Sequence, residues 1–425
     1  MSATPSFRQA LAVWLKVGLL GFGGPAGQIA LLHREVVERR GWVDEARFAH
    51  ALSFCMLLPG PEAQQLATWL GWRLHGVRGG VAAGLLFVLP GLAVMLSLSA
   101  LYVVHAREPW AGPGLLGLKA AVVALVLQAL QRMGARALRA TAERIAAGLA
   151  FLTLAFTILP FPVVILAAGA AGWALGGGLV SPPDAAISDR RSSRRTALIC
   201  LVLWLAPVLL TLGLAPRSPL AQMGGVFSTL AVLSFGGAYA ALAYLGQTAA
   251  TFGWVTPGQM LDGLGLAETT PGPLVLVFVF VGFVGAYQSS PPEWAWAAAL
   301  AGGLMAAWTT FAPSFVWIFA GGPFVERLRG RSRPARALSV VSAAAVGVIG
   351  AVALEFTIHL LFRAGDERGW GLLRVVIPSV ETVNVAALGL AVLACGLVFA
   401  MRVPLLAVIA VSTLAGLALG ALGLT

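Results

Sequence analysis

The chain is short of charge, of sulfur and of histidine, and each shortage closes off a class of function. Charged residues make up 11% of its 425 residues, with only 17 acids. A soluble globular domain carries about 25%. With a mean hydropathy of +0.89, this chain cannot clothe itself in a water-compatible surface. Its three cysteines, Cys55, Cys200 and Cys395, are too far apart for a metal or redox motif. The five histidines (33, 50, 75, 105 and 359) show no metal-ligand spacing. Walker A and nucleophile motifs are missing too, so no cofactor is expected, direct ATP use is excluded, and an intramembrane enzyme is a remote alternative.

What is present is apolar. Hydrophobic residues are 59% of the chain and glycine accounts for 51 positions, which rules out a disordered or collagen-like chain. Most apolar runs are 17 to 25 residues long, the length a helix needs to cross about 30 Å of hydrocarbon. The alternating ten-residue strands of a membrane barrel do not occur. The expected fold is therefore an all-α polytopic membrane protein, with the lipid bilayer as its first partner. The net charge of +11 resides mostly in short loops between apolar runs. That is a topogenic pattern, and nucleic acid is not an expected partner.

Apolar runs and breakers give thirteen candidate spans: 10–32, 46–75, 79–104, 115–131, 145–159, 163–180, 197–215, 220–245, 257–287, 294–318, 337–362, 377–401 and 403–423. With the N-terminus cytoplasmic and the C-terminus periplasmic, seventeen basic residues fall inside and nine outside. This is the bias of a plasma (inner) membrane protein. Re-entrant segments would change that parity.

The chain also repeats itself. Phe22-Gly23-Gly24 recurs as Phe235-Gly236-Gly237, Trp42-Val43 as Trp254-Val255, and Pro59-Gly60-Pro61 as Pro271-Gly272-Pro273, at offsets of 212 to 213; Pro90 aligns with Pro313 at 223. Six spans in each half around one connecting span would turn the second half upside down, the inverted-repeat plan of many secondary transporters. The expected domains are an N-terminal repeat, 1–180, a basic linker with its connecting helix, 181–219, and a C-terminal repeat, 220–425.

Proline lacks an amide hydrogen and clashes with the preceding turn, so each Pro-Gly-Pro should end one half-helix and start another. Pro61 and Pro273 would be the first residues of the new half-helices. The amides of Glu62, Ala63 and Gln64, and of Leu274, Val275 and Leu276, would then lack intrahelical partners. In a membrane such groups survive only where buried in protein or lining a cavity, and there they suit an anion. Phe22-Gly23-Gly24-Pro25 should break the first span similarly.

In this order the motifs resemble the chromate ion transporter family in its long-chain, two-domain form. Phe22-Gly23-Gly24-Pro25, His33-Arg34-Glu35, Trp42 and Pro59-Gly60-Pro61 with Gly71 are similar to its N-terminal domain. Phe235-Gly236-Gly237-Ala238-Tyr239, Trp254 and Glu268-Thr269-Thr270-Pro271-Gly272-Pro273 are similar to its C-terminal domain. The resemblance implies export of chromate from the bacterial cytoplasm and chromate resistance, with sulfate as the isostructural competitor. Ala238 stands where the first copy has Pro25.

Charged residues in or near spans are functional candidates because burying them in lipid is costly. Lys16 could help neutralise a dianion or snorkel to the interface. Lys119 fits snorkelling better, and Arg34 could line an outer vestibule. Glu62 could cap the free amides and compete with substrate. Glu268, Thr269 and Thr270 before the second break, and Gln64, Gln65 and Thr68 after the first, could surround an oxyanion. A carrier for sulfate or another oxyanion, working inward, is the alternative on the same scaffold. A homo-oligomer is compatible with this plan.

Overall fold

The computed structural model describes residues 5–56, 58–176, 190–234, 238–328 and 332–425. Among them are sixteen α-helices: α1 (Phe7–Leu20), α2 (Gly24–His33), α3 (Glu45–Cys55), α4 (Glu62–His105), α5 (Ala111–Ala137), α6 (Thr141–Phe156), α7 (Phe161–Leu175), α8 (Arg190–Leu214), α9 (Pro219–Leu233), α10 (Ala238–Thr251), α11 (Pro257–Thr269), α12 (Val277–Gln288), α13 (Ala295–Leu328), α14 (Ser332–Leu361), α15 (Val385–Cys395) and α16 (Leu405–Ala421). Five stretches, Glu62–His105, Ala111–Ala137, Arg195–Leu214, Ala295–Gly321 and Arg336–Leu361, are long and apolar enough to cross a membrane.

Helix starts follow local chemistry. Ser6 and Gln9 form a reciprocal capping box on α1, Asp44 caps α3, and Ser218 caps α9 just before Pro219. Each side chain meets amides that the first helical turn leaves without partners.

The chain folds as two compact units. One gathers the described residues of Met1–Ser99, Gly178–Ala238 and Thr270–Ser332; the other holds those of Ala100–Gly177, Tyr239–Thr269 and Arg333–Thr425. Each unit therefore draws on both halves of the sequence.

In the first unit, α4 is not one rod. His75 and Gly76 leave helical geometry, Gly76 with φ 62°. A methyl group on Gly71 would lie 2.3 Å from the Gly79 carbonyl oxygen. In a straight helix those residues would stand about 12 Å apart, so the chain doubles back into a tight helical hairpin. The same contact recurs where α12 meets α13: a methyl on Gly282 would lie 2.5 Å from the Gly302 carbonyl. Ala83 and Ala306 flank the two crossings in the same way. Backbones approach this closely only where side chains are absent, as in small-residue packing of membrane helices.

The second unit is built on α5, which packs along α16, α15 and α11. Gly117 and Gly416 admit this approach, since a methyl there would come within 2.0 Å of the Ser412 carbonyl and 2.2 Å of the Pro113 carbonyl. Gly347 of α14 meets the Ala147 carbonyl of α6 as closely.

Several expectations are corrected. Span 377–401 is not helical at its start: β1 (Gly365–Trp370) and β2 (Leu373–Pro378) form an antiparallel hairpin, and helix resumes only at Val385. The cause is local, because Val375, Val376 and Ile377 are β-branched, Pro378 cannot enter a helix interior, and Gly371 supplies a turn at φ 64°. Among the described residues the fold is otherwise α-helical, as expected, with this small hairpin beside a span end. Span 10–32 is divided between α1 and α2 at Phe22-Gly23-Gly24-Pro25, as expected. Helix α8 begins at Arg190, inside the expected linker, whereas residues 181–189 lie outside the described residues. Pro90 and Pro313 both sit within helices, α4 and α13.

Candidate functional site at the helix breaks

The breaks at residues 21–25, 59–61 and 271–273 all belong to the first unit. Helix α1 stops at Leu20 and α2 begins at Gly24, with Gly23 and Gly24 at φ 88° and 68° and Pro25 in the first turn. Pro61 is the cap before α4, which starts at Glu62. Pro273 caps a 3-10 turn, Leu274–Leu276, that leads into α12. Both prolines therefore sit one position earlier than expected. One expected free amide is also taken: Leu276 donates to the Pro273 carbonyl at 3.0 Å, because a 3-10 turn bonds one residue sooner than an α-helix. By helix geometry the first-turn amides of Ala63, Gln64, Leu274 and Val275 have no acceptor within their own helix.

The two Pro-Gly-Pro glycines share one backbone conformation, φ 109° at both Gly60 and Gly272, which favours glycine strongly. They are also tied crosswise. Gly60 donates its amide to the Ser234 carbonyl at 3.1 Å, and Gly272 donates to the Gly21 carbonyl at 2.9 Å. Ser234 precedes Phe235 just as Gly21 precedes Phe22. Each Pro-Gly-Pro is thereby pinned to the residue that precedes the Phe-Gly-Gly of the other half. The packing follows suit: Gly272 lies against Gly91 of α4, and Gly60 lies near the hydroxyl of Ser314 on α13.

Glutamine fills the space around these junctions. Gln28, fully buried, donates its Nε2 to the carbonyls of Gly21 and Gly272. Gln64 Nε2 donates to the Phe311 carbonyl at 3.3 Å and Gln65 Nε2 to the Pro59 carbonyl at 2.7 Å. Thr68, Thr270, Thr310 and Ser314 are buried as well. The Oε1 atoms of Gln28, Gln64 and Gln65 and the Thr310 hydroxyl are buried without a hydrogen-bond partner. Replacing Gln28 by leucine would leave the Gly21 carbonyl without the side-chain bond and weaken the clamp on Gly272. A loss of about 1–3 kcal/mol is expected, seen as a lowered Tm of the detergent-purified protein; an unchanged Tm would dismiss the clamp.

The other sequence-derived candidates divide. Glu62 opens α4 and is half-buried, while Ala63 and Leu274 are buried beside it and beside Pro273. Thr270 donates to the Met95 sulfur at 3.8 Å. Glu268, buried, and Thr269, whose hydroxyl donates to the Leu266 carbonyl, end α11 in the second unit. Phe235, Gly236, Gly237 and the side chain of Tyr239 lie outside the described residues. Arg34 is exposed at the end of α2.

Lys16 does not stand alone. Its Nζ lies 3.0 Å from Oε1 of Glu35, whose side chain is fully buried and also accepts from Arg39 at 2.8 Å and from Arg40. Lys119 is paired too, with Asp262 at 3.3 Å. Sequence reasoning missed Asp262, Gln28 and the Thr310–Ser314 hydroxyls. Each interrupts an otherwise apolar stretch, and that was the available signal.

The comparisons with known proteins follow the same motifs. The family described as Chromate transporter matches residues 8–173 and 221–417. The chain is 32% identical to the Chromate transport protein of Pseudomonas aeruginosa over 365 residues, covering 82% of this chain and 81% of that protein. It is 27% identical to the Chromate transport protein of Cupriavidus metallidurans, covering 82% of each. It is also 27% identical to the Probable chromate transport protein of Synechococcus elongatus, over 82% of this chain and 84% of that one. No solved structure matches. Both matched blocks contain a Pro-Gly-Pro break, and the chain, a multi-pass membrane protein, belongs to the chromate transporter family.

Proposed function

We propose that the chain is a secondary transporter that exports chromate across the bacterial plasma membrane. The observation that carries this reading is the crosswise pinning of two helix breaks, Gly60 to Ser234 and Gly272 to Gly21, within a buried set of neutral polar groups. A tetrahedral dianion needs hydrogen-bond donors, and the first-turn amides of Ala63, Gln64, Leu274 and Val275 with the Thr310 hydroxyl supply them. Of the buried polar atoms left without partners there, the Thr310 hydroxyl can donate to the ion, whereas the three glutamine Oε1 atoms are acceptors and call for water carried with it.

The substrate contacts fall on Phe22 to Pro25, on Pro59 to Gln64 and on Thr269 to Leu274, with Phe235, Gly236, Gly237 and Tyr239 of the second copy as further contacts. Glu62, at the positive end of α4, competes with substrate when ionised. Lys16, held by Glu35, and Arg34 and Glu268 tune the local potential. Two inverted copies, within 1–180 and 220–425, are joined by the segment 181–219. Thirteen crossings leave the N-terminus cytoplasmic and the C-terminus periplasmic. The duplicated family match and the crosswise bonds support this plan.

Moving one charge through 100 mV is worth about 2.3 kcal/mol, so a dianion leaving an inside-negative cell gains roughly 4.6 kcal/mol. The potential alone can drive export, and inward proton exchange adds to it. Sulfate shares the charge and shape of chromate and is expected to compete. Cells carrying the protein should accumulate less chromate and survive more of it than cells without, and Pro61→Gly with Pro273→Gly should remove the difference. Equal accumulation with and without the wild-type protein would refute export.

A further inference from the structure

The second unit contains a buried ion pair that the helix breaks leave unused. Asp262 lies in the middle of α11 and is 3% exposed. Its Oδ2 accepts a hydrogen bond from the Tyr102 hydroxyl at 2.9 Å, from the last turn of α4. Lys119 Nζ, from α5, lies 3.3 Å from Oδ1, yet Oδ1 accepts no hydrogen bond. The carboxylate is therefore held by charge on one side and by a hydrogen bond on the other. Lys119 keeps 24% of its side chain exposed, so the pair reaches the surface of the unit at that edge. Beside Tyr102, the last turn of α4 also carries His105. Helix α16, which packs against both α5 and α11, carries no charged residue between Leu405 and Ala421; its hydroxyls are those of Thr413 and of the buried Ser412, the latter without a partner. On α11 the other acid is Glu268, nearly two turns further on.

A carboxylate placed in a membrane-embedded core marks an ion or proton pathway by default. Resting on the transport reading above, we infer that Asp262 is the proton-carrying group that couples chromate export to proton entry. In the outward-facing half of the cycle a proton from water bonds to Oδ1, which ends the ionic attraction of Lys119 and leaves its ammonium as an unbalanced positive charge. In the inward-facing half the O–H bond breaks, the proton leaves to cytoplasmic water, and the pair with Lys119 closes again. One proton enters for each chromate that leaves, and no other reactant is consumed. Helix α11 runs directly into Pro271-Gly272-Pro273 along the chain, so a change at Asp262 has a covalent route to the second break.

The test uses the full-length protein in vesicles, with the membrane potential clamped at zero by potassium and valinomycin. For one proton exchanged per chromate, the steady-state chromate ratio of wild type should shift about tenfold per unit of pH gradient. Asp262→Asn should show no shift while chromate counterflow continues. Tyr102→Phe removes the hydrogen bond to Asp262 Oδ2, so the midpoint of the rate against pH should move. A wild-type ratio indifferent to pH, a wild-type shift in Asp262→Asn, or an unmoved midpoint in Tyr102→Phe overturns the assignment. Should Asp262→Asn fail to reach the membrane, Tyr102→Phe decides alone. Absence of counterflow in wild type would remove the transport reading itself and this coupling with it.

Discussion

Gly91→Val should cut chromate transport by about tenfold or more while leaving the protein in the membrane. A Cβ at this position would lie 2.0 Å from the Pro271 carbonyl oxygen and 2.7 Å from Leu276 Cδ1, closer than real atoms approach. Neither neighbour can easily retreat. Pro271 adjoins Gly272, whose amide is fixed to the Gly21 carbonyl and whose own carbonyl accepts from Gln28. Overpacking of a close-packed core costs about 1–3 kcal/mol. Here the strain falls on the second break, so transport should fall by about tenfold or more for a distortion worth 1.4 kcal/mol or more in the transport barrier. Gly148→Val, on α6 where an added Cβ meets nothing within 4 Å, is the control and should transport normally. Vesicle uptake normalised to inserted protein measures both. Wild-type flux in Gly91→Val would show that the second break tolerates displacement and is not a substrate site.

Glu35→Gln should be the most destabilising charge change in the first unit. The carboxylate is fully buried and meets Lys16, Arg39 and Arg40. Without it, three cations face one another with no counter-ion. Breaking a buried pair in this way costs about 3–5 kcal/mol, and the lower end applies because the cations retain contact with water. Burial pushes the Glu35 carboxyl up, but hydrogen bonds from Lys16 and Arg40 outweigh it and hold the group below the usual carboxylate range. The sign of the pH effect follows. The cluster's stabilisation is complete above the unfolded carboxyl's pKa and is lost as pH falls through the lower folded value. Thermal melts of wild type should therefore weaken on that acid side, whereas Glu35→Gln should start lower and lack that part of the slope. A variant that melts like wild type at neutral pH would show that the cluster is solvated and contributes little.

Both results bear on how the site is made. Glu35 fixes the entry to α2 by drawing Lys16 of α1 to the turn that follows α2, and so the Phe22-Gly23-Gly24-Pro25 junction is bracketed by an ion cluster on one side and by Gln28 on the other. Gly91 lets α4 lie against the opposite break. These contacts join residues as far apart as 21 and 272, or 60 and 234.

Much of this was legible before any coordinates. The scarcity of charge and the length of the apolar runs dictated a membrane-embedded helical chain, and proline with glycine dictated where helices break, because an imide nitrogen and a missing Cβ act within one turn. The duplicated motifs announced two matching breaks for the same local reason. The hairpin at 365–378 was less legible, since a β-branched run beside a span end is as apolar as the span itself. Partnership was not legible at all. That Gly60 would bond to Ser234 and Gly272 to Gly21, that Lys119 would find Asp262 and Lys16 would find Glu35, depended on which helices came to lie side by side. Hydrogen bonds and ion pairs act over a few ångströms of space and are indifferent to separation along the chain, so only the tertiary structure could decide them.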